Sequence, residues 1–187
     1  AYEDAASVQS TWYPYRQTFT ASGYNSLAGV SLSGYDFFVD ANSTIMRVIK
    51  VNGAADKKMK LTGAIPGGMT GKWDAQNKAL VISSNTLNYY YALKFVSLTG
   101  TGLTATDTGA VPSISGSGWS LEIPIGTVDG NYYGISFGFA VNGIYTGEGE
   151  SAATSRAVNA FSQGAAAALA DTKSVFDGYL KKAPLPG

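Results

Sequence analysis

The chain has 187 residues, 45% of them hydrophobic, which is enough for one large domain with a sizeable core. Charged residues make up only 14% and cancel to a net charge of zero, with no basic stripe, which argues against a nucleic-acid partner. Neither Cys nor His occurs, so disulfides, thiol chemistry, Ser-His-Asp and Cys-His constellations and the usual zinc sites cannot be built.

The apolar runs are far too short to span a bilayer as a helix. The absence of Cys fits an exported bacterial protein and a cytoplasmic one equally. The start at Ala1 is read as processing, with removal of a signal peptide as one route, so a secreted or cell-surface location is expected. The 23 Gly and 12 Tyr, together with abundant Ser, Thr and Asn, suit β-structure with many turns.

Residues 1–26 carry Trp12, Tyr13, Tyr15, Phe19 and Tyr24, a density of aromatics that predicts an early strand rather than a tail. Asn25, Gly29 and Gly34 mark turns. The run from Tyr35 to Asp40 is a short apolar strand. From Thr44 the pattern alternates, with Ile45, Arg47, Ile49 and Val51 on one face and Met46, Val48 and Lys50 on the other, and Asn52-Gly53 closes it as a hairpin turn.

Further strands are predicted around Met59–Leu61, from Ala79 to Ile82 after a turn at Asp74 to Asn77, and from Leu87 to Leu98, the strongest β-signal. The Gly/Ser/Thr-rich stretch 99–118 reads as a long connection. Trp119, Leu121, Ile123 and Ile125 then share a face, and Pro124 predicts an edge strand. After a turn at Asp129-Gly130, Ile135, Phe137 and Phe139 face one way.

The chain closes on a helical period. Val158, Phe161, Ala165, Leu169, Thr172, Phe176 and Tyr179 recur at steps of three and four, Lys181 and Lys182 suit the last turn, and Pro184 and Pro186 stop the helix. A helix from about Ala152 to Lys181 is expected, with Gly164 as its weak point.

The fold class is therefore all-β: an antiparallel β-sandwich of about eight to ten strands over residues 1–149, followed by a C-terminal amphipathic linker helix over 150–187. The expected core comprises Phe37, Ile49, Leu80, Ile82, Leu93, Phe95, Leu121, Ile123, Phe137 and Phe139.

Few residues offer acid/base chemistry. Glu148 and Glu150 stand two apart in a Gly-rich loop, as a candidate catalytic or cation-binding pair or as a solvated helix entry. Asp36 and Asp40 flank a strand as turn caps, and Asp107 and Asp129 sit in turn sequences. No catalytic residue, metal ligand or cofactor site is assigned. Sugars stack their CH-rich faces on aromatic rings, so the candidate carbohydrate-binding residues are Trp73, Tyr89, Tyr91, Trp119, Tyr132 and Tyr133, with core packing as the competing role.

The tract Ile135-Ser-Phe-Gly-Phe-Ala, the Ala-rich helix, Phe176-Asp177-Gly178-Tyr179-Leu180 and Pro184-Leu-Pro together resemble the domain junction of α-toroid (six-hairpin) glycoside hydrolases. Arg47-Val48-Ile49-Lys50-Val51 and Lys72-Trp73-Asp74 are similar to the sandwich of that family in style. The resemblance implies an N-terminal β-sandwich and linker helix leading into an (α/α)6 catalytic barrel of the same polypeptide. In that family the catalytic carboxylates lie in the barrel, so none is carried onto this chain. The implied role is that of a non-catalytic accessory domain that packs on the barrel and shapes the rim of its site, with an oligo- or polysaccharide as ligand. An independent carbohydrate-binding module and a cell-surface adhesive domain are the alternatives.

Overall fold

A computed structural model describes residues 4–39, 43–84, 86–127, 130–142 and 148–182. Asp40, Asp129, Pro184, Leu185 and Pro186 lie outside them. The described residues form an antiparallel β-sandwich carrying two C-terminal helices.

The first strands are β1 (Ser7–Tyr13), β2 (Arg16–Ser22), β3 (Ser31–Val39), β4 (Thr44–Asn52), β5 (Lys58–Ala64) and β6 (Thr70–Asp74). They are followed by β7 (Ala79–Ser84), β8 (Tyr89–Thr99), β9 (Thr104–Asp107), β10 (Ser113–Ser115), β11 (Gly118–Pro124) and β12 (Asn131–Val141). The helices are α1 (Glu150–Asn159) and α2 (Ala165–Lys182).

Nine strands form one large sheet in the order β1-β2-β3-β4-β12-β8-β7-β6, with β9 paired to the far end of β8. The small sheet is β10-β11-β5.

The alternation in β4 and β8 explains the layering. Ile49 and Val51 of β4 and Phe95 of β8 pack with Met59, Leu121 and Ile123 of the small sheet. Met46 and Val48 of β4 and Val96 and Leu98 of β8 point the other way, onto Phe161, Ala165 and Ala168 of the helical segment. Central strands are thus buried on both faces and read as nearly continuous apolar runs.

Four features differ from the sequence reading. The described residues form twelve strands rather than eight to ten, because the early aromatic segment folds as the β1–β2 hairpin and stretch 99–118 contains β9 and β10. Strand β11 is central in the small sheet rather than at an edge. Its Pro124 is tolerated because β10 pairs only with Gly118–Ser120, so the proline lies beyond that ladder. Of the expected core, Phe37, Ile49, Leu80, Ile82, Phe95, Leu121 and Ile123 are buried, whereas Leu93, Phe137 and Phe139 are only half-buried.

The fourth difference concerns the apolar face of the helical segment, which is two helices joined at Gly164, the weak point that the sequence marks. That residue has φ +84°, left-handed backbone that favours glycine, and a Cβ there would lie 2.6 Å from the Gly102 carbonyl oxygen. The first amides of α2 are satisfied across the joint: Ala165 N donates to Leu103 O at 3.1 Å and Ala166 N to Gly102 O at 3.3 Å. Phe161 and Ala165 are buried as expected, but Tyr179, of the same periodic face, is 67% exposed; Leu180, outside that face, is 58% exposed. The last turns of α2 run on past Thr172, whose hydroxyl donates to the Phe38 carbonyl of β3 at 2.9 Å.

Candidate functional site

The carboxylates singled out from sequence that lie among the described residues, Asp36, Asp107, Glu148 and Glu150, are all held by neighbouring groups. Glu148 and Glu150 do not face each other. Arg156 holds Glu148 with both terminal guanidinium nitrogens, at 2.9 and 2.5 Å, and also donates to the Phe139 carbonyl at 2.6 Å. That bidentate contact holds the Glu148 carboxyl below the usual range. Glu150 pairs with Lys72 of β6 at 2.5 Å and accepts from the Ser83 hydroxyl at 3.2 Å.

Asp36 and Arg47 form a second bidentate pair, both bonds 2.7 Å, which raises the guanidinium pKa further. Asp74 accepts from the amides of Gln76 and Asn77 at 3.0 Å and Asp107 from that of Gly109 at 3.0 Å, as turn aspartates do. Among the described residues, no three His, Cys, Asp or Glu side chains gather into a group that could hold a metal ion.

What remains is an apolar face. Across five ladders the register places Phe38 opposite Ile45, Ile45 opposite Phe137, Phe137 opposite Leu93, Leu93 opposite Leu80, and Leu80 opposite Trp73. Alternation puts this row on the large-sheet face that carries the small sheet. Burial deepens along it, from Phe38 at 66% exposed and Ile45 at 37% to Leu80 at 0%, so the small sheet covers one end of the row and leaves the other open.

The next row pairs Phe139 with Tyr91, and the one beyond pairs Val141 with Tyr89. The Tyr91 ring lies 5.2 Å from Phe137 and 5.5 Å from Phe139, the latter stacked at 23°. Tyr89 is 41% exposed. Phe38, Ile45, Phe137, Phe139, Tyr91 and Tyr89 therefore form one contiguous, partly open apolar patch among the described residues.

The six aromatics singled out from sequence are spread over several environments. Tyr89 and Tyr91 share the open patch. Trp73 is half-buried against the core beneath the small sheet. Trp119 wedges between the sheets, 5.5 Å from Phe95 and close against Gly63. Tyr133 is buried in the same core, its hydroxyl donates to Pro124 O at 3.4 Å, and burial pushes its pKa up. Tyr132 points to the helical side, with the Lys50 ammonium 5.6 Å from its ring centre.

Sequence reasoning missed Phe38, Phe137 and Phe139 as surface aromatics. Their apolar runs look like core, and only the limited reach of the small sheet exposes them.

Apart from this patch, a concavity of about 630 Å3 lies where β3 and β5 flank the sandwich. Val51, Met59 and Ile125 give it an apolar floor, with Tyr24, Lys57 and Lys58 among its other lining residues. Lys58 is engaged by Glu122 at 3.1 Å.

No protein-family model and no curated protein sequence matches the chain. Solved structures do share its fold. A heparan sulfate lyase, HepC, from Pedobacter heparinus superposes with a TM-score of 0.52 at 8% identity, over 72% of this chain and 22% of the lyase. A mutant of the same lyase gives 0.53 at 9% identity, over the same shares. At such identities the likeness is one of fold. The chain spans about a fifth of the length of these enzymes.

Proposed function

We propose that this chain is a non-catalytic accessory domain of a polysaccharide-cleaving enzyme, and that its open aromatic patch meets the sugar chain. The observation that carries the reading is the contiguous patch of Tyr89, Tyr91, Phe137, Phe139 and Phe38, left half-open by the small sheet. Flat rings in a row suit the CH faces of successive sugar units, whereas the acids and bases near by are already held in ion pairs.

The fold supports the reading, because the solved chains that share it are named as polysaccharide lyases and are several times longer than this chain. The parent class is accordingly drawn more widely than the glycoside hydrolases that the sequence resembles. The exposed Tyr179 and Leu180 on α2 offer an apolar contact to a catalytic domain of the same polypeptide. A parent of this kind works outside the cell or at its surface, where polysaccharide is met.

The test is affinity electrophoresis of the purified chain in gels containing neutral or acidic polysaccharides. At least one polysaccharide should retard the chain, and Tyr89→Ala, at a ring that is 41% exposed, should reduce the retardation with little change in thermal midpoint. Equal mobility of wild type and variant in every gel would overturn the sugar contact. Release of new chain ends from any polysaccharide by the purified chain would overturn the non-catalytic reading.

A further inference from the structure

The large sheet ends at β1, and that edge is unlike the others. All seven residues from Ser7 to Tyr13 are exposed, including Val8 at 69% and Trp12 at 75%. The segment carries no charge, Pro or Gly. The other sheet edges among the described residues are blunted in the usual ways. Strand β6 carries Lys72 and Asp74, β5 carries Lys58 and Lys60, and β9 and β10 are only four and three residues long. A seven-residue, charge-free, aromatic edge is a template for another strand.

The pattern of β1 says which strand fits. Its ladder with β2 starts at the Tyr13–Arg16 pair, across the two-residue turn Pro14-Tyr15. Closing pairs of such hairpins exchange both backbone bonds, so Tyr13, Thr11, Gln9 and Ser7 are bonded to β2. Trp12, Ser10 and Val8 then direct their N–H and C=O groups outward. Those three residues also share one sheet face.

The outward row, Val8-x-Ser10-x-Trp12, is complementary to itself when reversed. Antiparallel pairing about Ser10 sets Val8 opposite Trp12 twice, as aromatic–β-branched cross-strand pairs, and Ser10 opposite Ser10.

We propose that β1 pairs with β1 of a second copy of this chain, antiparallel about Ser10, so that the two large sheets join across a twofold axis.

The experiment uses the lack of native cysteine. Ser10→Cys places two thiols at a hydrogen-bonded antiparallel pair, where Cα atoms stand about 5.5 Å apart, within the roughly 4.4–6.8 Å that a disulfide spans. Under mild oxidation this variant should become a covalent dimer, whereas Ser174→Cys, exposed on α2, should stay monomeric. In sedimentation, wild type should show twice the monomer mass, and Ser10→Pro should return it to monomer. Proline removes only an outward N–H there, so the monomer should stay folded, with a cooperative thermal transition that no longer depends on protein concentration. Trp12→Lys, a charge on the edge, serves the same end if Ser10→Pro disturbs the hairpin. A wild type that sediments as monomer at the highest concentration reached would overturn the proposal. So would a dimer that survives both Ser10→Pro and Trp12→Lys, or cross-linking of Ser10→Cys no faster than that of Ser174→Cys.

Discussion

Ser136 donates its hydroxyl hydrogen to the Ala157 carbonyl at 2.6 Å, so α1 rests directly on β12 with no layer of side chains between them. Beyond Tyr132, the helix-facing residues of β12 are Gly134, Ser136, Gly138 and Ala140, and small residues are what permit this approach. A Cβ at Gly138 would lie 2.6 Å from the Ala157 nitrogen, and one at Gly134 2.7 Å from the Phe161 ring. We expect Gly138→Ala to destabilise the fold by about 1–3 kcal/mol through overpacking, and Ser136→Ala by about 0.5–1.5 kcal/mol through the lost bond. Urea unfolding measures both. A neutral Gly138→Ala would mean that α1 does not sit this close.

Two glycines in the helical segment should respond with opposite signs. Gly164→Ala forces a side chain into left-handed backbone at a cost of about 1–2 kcal/mol, before its clash with the Gly102 carbonyl. Gly178 lies within α2, and a Cβ there meets nothing within 4 Å. Gly178→Ala should therefore stabilise by about 0.4–1 kcal/mol. Thermal midpoints that move in the same direction would contradict the break between α1 and α2.

The open patch predicts a graded series. Leu80→Ala, at the covered end of the row, should cost about 2–5 kcal/mol. Phe137→Ala, half-buried, should cost less than Leu80→Ala. Phe38→Ala, at the exposed end, should fall within about 0.5 kcal/mol of wild type. Chemical denaturation of the three variants reads the order directly. A Phe38→Ala as damaging as Leu80→Ala would show that this end of the row is covered.

Acid should test the Glu148–Arg156 pair. The folded-state pKa of Glu148 is depressed, chiefly by its bonds from Arg156. A depressed carboxylate contributes stability that is complete above its unfolded pKa and is lost as pH falls through the folded value. The contribution therefore disappears below the ordinary glutamate pKa of about 4.3. In Glu148→Gln the thermal midpoint should fall less steeply over that acid range than in wild type. Parallel acid limbs in the two proteins would remove this pair as a source of acid sensitivity.

Much of the architecture was legible in the residues because it is local. The alternation in Thr44–Asn52, the shared face of Trp119, Leu121 and Ile123, the turn at Asp74 and the weak point at Gly164 depend on backbone preference and side-chain period alone. The sandwich class and the C-terminal helical segment followed from them.

What the sequence alone could not decide was which neighbour each face would meet. Tyr132 and Tyr133 are adjacent and chemically alike, yet one packs toward the helices and the other lies buried between the sheets. Phe37 and Phe38 divide in the same way, one buried and the other 66% exposed. Alternation says that such pairs must separate, but their fates depend on how far β10, β11 and β5 extend over the large sheet. That reach is set by long-range packing and by the ladder between β11 and β5, whose strands are separated by more than fifty residues of chain. The same long-range geometry decides that Glu148 meets Arg156 while Glu150 meets Lys72. Two carboxylates that are neighbours in sequence thereby become separate structural ion pairs, and the open chemistry of the molecule is left to its aromatic face.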